Sequence, residues 1–216
     1  MKTEIARYKP EYRDRVRRIV WETGFGGDRV DELIDDPELF VDMNSLYYTD
    51  FDDSHNLVAM ADGEIAGYLL GCPDTKLYER RMKDEVIPHM WRKLVTGEYK
   101  LSRKNLLFIR RLIATLLRGE VTISPVEEYP AHLHIDFDAR FRRIGLGTRL
   151  METHMDYLRE LGVKGVHLGT SSFHRSAIPF YLKLGFSIYD RRRITEHPYL
   201  EATRENMYSI CFVKKL

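Results

Sequence analysis

The sequence predicts an α/β (α+β) domain built on one mixed central sheet flanked by helices. Three features predict it: an opening strand that feeds a helix, a tight hairpin at Asp62-Gly63, and strand-helix alternation from residue 131 onward. No repeat, low-complexity tract or linker interrupts the 216 residues, which suit a single domain, 1–216.

Residues 3–8 alternate and predict the first strand, and Pro10 opens a helical pattern of Tyr12, Val16, Ile19 and Val20 that Gly24 ends. The stretch from Arg29 to Phe51 predicts two short helices interrupted at Pro37. It carries an aromatic cluster, Phe40, Tyr47, Tyr48 and Phe51, that suits either a core or the wall of a cleft. Two apolar strands then flank Asp62-Gly63, a dipeptide that tolerates the positive φ of a tight hairpin turn. Residues 74–128 hold apolar residues at helical spacing and no strong strand, which predicts a helical insertion at about 73–129. Beyond it the pattern predicts strand 131–137, helix 145–161, strand 165–171, helix 174–184 and two closing strands near 186–194 and 206–214.

Thirty-four basic residues against thirty-three acidic give a formal charge of +1, so the overall balance offers nothing for nucleic acid or an anionic membrane to recognise. The N-terminus lacks the apolar region of a signal peptide, and no apolar run approaches a membrane span, so a cytoplasmic protein without a membrane partner is expected. Cys72 and Cys211 stand far apart, as core residues would. No clustered Cys/His pattern asks for a metal.

The chemistry concentrates in "DFDARFRRIGLGTRLM", where a strand ends, Arg142-Arg143-Ile144-Gly145-Leu146-Gly147 turns, and a helix begins. Amides in the first turn of a helix lack intrahelical partners and carry the positive end of its dipole, so such a turn suits a phosphate. Glycines at 145 and 147 remove the Cβ atoms that would keep a bulky anion from the backbone, and Arg142 and Arg143 add countercharge. It is neither a Walker loop nor a dinucleotide fingerprint, because no G-K-[ST] follows and a third glycine is missing.

Thirty residues on, Ala177, Phe180, Tyr181 and Leu184 share one face of a short helix that stops at Gly185 and runs directly into a strand at Phe186. The pairing of R-x-x-G-x-G after one strand with A-x-x-F-Y-x-K-x-G-F after the next resembles the GNAT superfamily of acyl-CoA-dependent N-acyltransferases. The resemblance implies a GNAT fold whose sheet splays at the cofactor site. Backbone at Ile135 and Phe137 would meet the acyl and pantetheine groups of acetyl-CoA, and the amides of Arg142, Arg143, Ile144, Gly145, Leu146, Gly147 and Thr148 would hold its pyrophosphate. His174 stands where the family usually has an asparagine on the cofactor arm, and imidazole can also donate there. Tyr181 falls on the tyrosine that protonates the departing CoA thiolate.

For the base, alternation places His132, His134 and Asp136 on one face of the strand, with Asp138 near the turn; a bulge would reverse the facing partway. Asp136 is favoured for its place beside the acyl site, His134 follows it, and a chain of waters is the alternative. The implied reaction is direct attack by a primary amine of a small molecule or peptide in a ternary complex, without a metal. The insertion, with Ile87-Pro88-His89-Met90, resembles that of the acetyltransferase-like domain that ends eukaryotic O-GlcNAcase. That domain is regarded as inactive, which keeps open a non-catalytic acyl-CoA-binding or protein-interaction role. The insertion's basic residues either line an acceptor cleft or solvate helix faces, and its apolar sides suit a lid or a homodimer contact.

Overall fold

The computed structural model describes residues 1–24, 30–196, 200 and 206–216. Its sheet has seven strands in the order β1-β2-β3-β4-β5-β7-β6. They are β1 Thr3–Arg7, β2 Leu57–Ala61, β3 Glu64–Cys72, β4 Ala131–Phe137, β5 Gly165–Ser171, β6 Ser187–Ile194 and β7 Met207–Lys215, each within a residue or two of the expected stretch. Among the described residues only β4 and β5 pair in parallel. The hairpin forms as its dipeptide dictates, with positive φ at Asp62 and Gly63.

Helices α1 Arg13–Thr23 and α2 Pro37–Leu46 cover one face of the sheet, together with an insertion of α3 Thr75–Arg81, α4 Ile87–Val95 and α5 Arg103–Leu117. Helices α6 Leu146–Glu160 and α7 Ala177–Lys183 cover the other. No described helix is long and apolar enough to cross a membrane. Pro37 departs from the expectation: it opens a helix instead of interrupting two. Its fixed φ suits the first helical position, the Asp36 carboxylate caps Leu39 N at 3.0 Å, and residues 31–33 form a turn. Arg29, where the first of the two expected helices would begin, lies outside the described residues.

The aromatic cluster belongs to the core. Phe40, Tyr47 and Tyr48 are buried with Val16, Ile19, Tyr68 and Leu70, and Phe51 packs against them. Cys72 and Cys211 are buried and unbridged. The insertion packs Met90, Leu94, Phe108 and Ile109 inward and leaves Trp91, Val95, Leu106, Ile113 and Leu117 exposed.

One of its basic residues neither lines a cleft nor meets solvent. Lys93 is buried and donates to Asp42 at 2.6 Å, where Arg17 and Tyr99 also donate at 2.6 Å each. Burial pushes the Asp42 carboxyl up, but these hydrogen bonds more than reverse it and leave it below the ordinary carboxylate range. This cluster fastens α4 to α1 and α2.

Candidate functional site

β4 and β5 pair only at Ala131–Val166 and His132–His167, then part. From Leu133 to Phe137 the edge of β4 that faces β5 is therefore without a ladder partner, while its other edge stays in regular register with β3. No bulge disturbs β4, so His132, His134 and Asp136 share one face; the irregularity lies on β3, between the pairs Ala59–Gly67 and Met60–Ile65.

The turn after β4 closes this gap from one end. Arg143 and Gly145 hold left-handed backbone, at φ 64° and 85°, and Gly145 precedes the first residue of α6. A Cβ on Gly145 would meet nothing within 4 Å, so the turn faces open space. The backbone N–H groups of Arg143 to Thr148 find no backbone acceptor among the described residues. An anion fits such a place. A Cβ on Gly147 would meet Phe180 at 3.4 Å and Phe137 at 3.6 Å, ordinary van der Waals contact, so the first turn of α6 lies beside the end of β4. The Arg142 Nε donates to the Phe137 carbonyl at 2.9 Å, and its charge is felt at Asp136 and His174.

In the gap, burial pushes the Asp136 carboxyl up to about 7, against lowering by Arg142 and by a hydrogen bond from Tyr68. Burial, reinforced by His174, pushes the His134 imidazole down to about 4. His134 still presents 37% of its side chain to solvent, and Asp136 18%. His134 Nε2 lies 3.6 Å from Asp136 Oδ2, and the Tyr68 hydroxyl lies 3.4 Å from that oxygen and 3.4 Å from His134 Nδ1. Of the two expected bases, Asp136 is the one poised near neutrality.

The neighbouring candidates are otherwise engaged. His132 uses both ring nitrogens, with Tyr48 Oη and Thr75 Oγ1 at 2.7 Å each, and burial holds it down at about 3. Asp138 is locked by Arg140 and Arg15 and accepts from Arg140 N at 2.9 Å, which holds its carboxyl far below the usual range.

A family model described as the Acetyltransferase (GNAT) family matches residues 14–186. The chain belongs to this family. Among solved structures, the GNAT chain is similar to a protein named SsHAT, at 27% identity and a TM-score of 0.74, over 100% of this chain and 98% of that one. It is also similar in fold to the polyamine N-acetyltransferase of Drosophila melanogaster, at 15% identity and a TM-score of 0.59 over the whole of both chains. A third is an N-acetyltransferase from Staphylococcus aureus Mu50, at 10% identity and a TM-score of 0.59 over 100% of this chain and 99% of that one.

In this GNAT protein Tyr181 is buried against Phe180, Phe186 and Phe212, and its hydroxyl has no hydrogen-bond partner among the described residues. Burial, then the charge of Asp136, raises its phenol above the ordinary value, so it is a protonated donor at neutral pH. His174 lies ahead of α7, its imidazole lowered by burial and by Arg142. Tyr68 is the residue that motif reading misses. The signal is register, since Tyr68 pairs directly with Asp136 across β3 and β4.

Proposed function

We propose that the chain transfers an acetyl group from acetyl-CoA to a primary amine of a small molecule or peptide. The observation that carries this reading is the convergence, at the gap between β4 and β5, of an amide-rich turn with a carboxyl poised at about 7. The donors and open space of residues 143–148 fit a pyrophosphate, with the amides of Ile144, Gly145 and Leu146 at its centre. Acetyl-CoA, when bound, supplies an activated carbonyl and a thiolate leaving group. The chain's own groups do the rest: the free edge of β4 at Ile135 and Phe137 orients the donor, and His174 donates to its arm. Asp136 takes the proton of the attacking amine at a carboxylate oxygen as the amide C–N bond forms, and Tyr181 gives its phenolic proton to the sulfur released when the thioester C–S bond breaks. Within the family we group the chain with the acetyltransferase-like domain of O-GlcNAcase, on Ile87 to Met90 of the insertion. The apolar outer face of α4 and α5 would serve a homodimer.

A second reading, acyl-CoA binding without turnover, draws on Arg142, whose side chain already takes the Phe137 carbonyl. Calorimetric titration with acetyl-CoA, free CoA and ATP, followed by a screen of primary amines including agmatine and polyamines, separates the two. Micromolar, acetyl-CoA-dependent binding with thiol release on an amine supports the transferase. Binding without release on any amine favours the second reading, and absence of binding ends both.

Gly147→Glu is expected to abolish acetyl-CoA binding while the protein still folds. An acidic side chain in the first turn favours the helix dipole, yet it sets a negative charge among the amides meant for phosphate. Circular dichroism and titration of the same sample check both halves; undiminished affinity would remove the cradle. Tyr181→Phe is expected to leave affinity within about twofold and to lower kcat by about ten- to a hundredfold, through loss of the proton donor. Wild-type turnover would take Tyr181 out of the reaction.

A further inference from the structure

Tyr68 is fully buried in the middle of β3, and the reaction as written gives it no part. We propose that Tyr68 is a positioning residue whose hydroxyl bridges Asp136 and His134 by hydrogen bonds and so sets the pH above which Asp136 is free to accept a proton. This rests on Asp136 being the base of the proposed reaction, but its test does not.

The Tyr68 hydroxyl lies 3.4 Å from His134 Nδ1 and 3.4 Å from Asp136 Oδ2, while His134 Nε2 stands 3.6 Å from that oxygen, beyond hydrogen-bonding distance. The phenol is raised well above its ordinary value by burial and by Asp136, so it stays protonated and can donate. A buried hydroxyl left without a partner is costly, and among the described residues only these two groups meet it. The arrangement satisfies both states of the carboxyl. When Asp136 is ionised, Tyr68 donates to it and His134 Nδ1–H donates to the phenol oxygen; when Asp136 is protonated, it donates to Tyr68, which turns to an unprotonated His134 Nδ1.

The other charged or titratable groups facing Asp136 come from different elements and leave room for this control. Arg142, from the turn after β4, favours the ionised form, while Tyr181, from α7, faces it without a hydrogen bond. His174 acts on His134 from the segment before α7. Tyr68 is the side chain that gives Asp136 a hydrogen bond, and it does so from a fully buried position on the neighbouring strand.

The test is a pH titration of the side-chain carboxyls of the whole protein by carbon-13 NMR, with the Asp136 signal assigned by its loss in Asp136→Asn. Tyr68→Phe keeps the ring and removes only the donor, so the Asp136 midpoint is expected to move up by about 0.5–1 pH unit. Tyr48→Phe takes a hydroxyl from the same side of the sheet, where it serves His132, and should leave the midpoint in place. An Asp136 midpoint that does not move in Tyr68→Phe, or that moves equally in Tyr48→Phe, overturns the inference. Because the readout needs neither acetyl-CoA nor an amine, it stands apart from the kinetic test of Asp136 itself.

Discussion

Asp136→Asn is expected to unfold at a higher temperature than the wild type at pH 8 and to turn over about 10²- to 10⁴-fold more slowly. The two effects have one cause. Burial pushes this carboxyl up to about 7, well above its ordinary 3.8, so the folded protein holds the proton more tightly than the unfolded chain does. Between those values folding takes up a proton, and stability falls as pH rises through about 7. Above that pH the fold carries a buried carboxylate kept for its basicity, which Asn does not impose. A gain of about 1–2 kcal/mol, or about 2–8 °C in Tm, follows at pH 8, shrinking toward pH 4. His134 slopes the other way: its folded value near 4 lies below the ordinary 6.5, so its contribution is present above about 6.5 and lost as pH falls. The wild type should therefore show a partly cancelled profile between pH 4 and 6.5, and the variant a clear rise with pH. Lower stability of the variant at pH 8, or unchanged turnover, would remove Asp136 from the role.

The largest loss of stability is expected from Asp42→Ala. Its carboxylate is buried and meets Arg17, Lys93 and Tyr99, so its removal leaves two buried cations with only the half-exposed Glu38 carboxylate, at 2.9 and 3.0 Å, as a counter-charge. Breaking such a cluster on one side costs about 3–5 kcal/mol, or about 6–20 °C in Tm for a chain of this size. Removing the three buried charges together, as Arg17→Met, Asp42→Leu and Lys93→Met, should recover much of that, because their desolvation goes with them and only the half-exposed Glu38 remains. Thermal scans of the single and triple variants check it. A loss under about 1 kcal/mol for Asp42→Ala would mean that packing alone holds the insertion.

Much of this protein is written locally and some of it is not. Alternation, helical spacing and the Asp62-Gly63 dipeptide fix strands and helices because each acts over a few residues. The turn at Arg142 to Gly147 is visible for the same reason. The opening at Pro37 is misread because a proline marks either a break or a start, and only the Asp36 cap decides. Lys93 and Tyr68 are illegible for a deeper reason. Lys93 meets Asp42 across 51 residues and Tyr68 meets Asp136 across 68, so their chemistry belongs to packing and register. His132 and Asp138 sit beside the favoured base in sequence, but Tyr48 and Thr75 saturate the first and Arg15 and Arg140 clamp the second.

The parting of β4 from β5 has a meaning beyond the reaction. An open strand edge on a protein's surface is a hazard, since its unpaired amides and carbonyls recruit other chains, and such edges are blunted with charge or covered. Here the open edge from Leu133 to Phe137 lies inside the molecule, between two halves of one sheet, with α6 across its end. Only something narrow, extended and carrying amides of its own can complete it. The property that would make an outer strand sticky is turned inward, where, in the proposed reaction, it would select an elongated visitor.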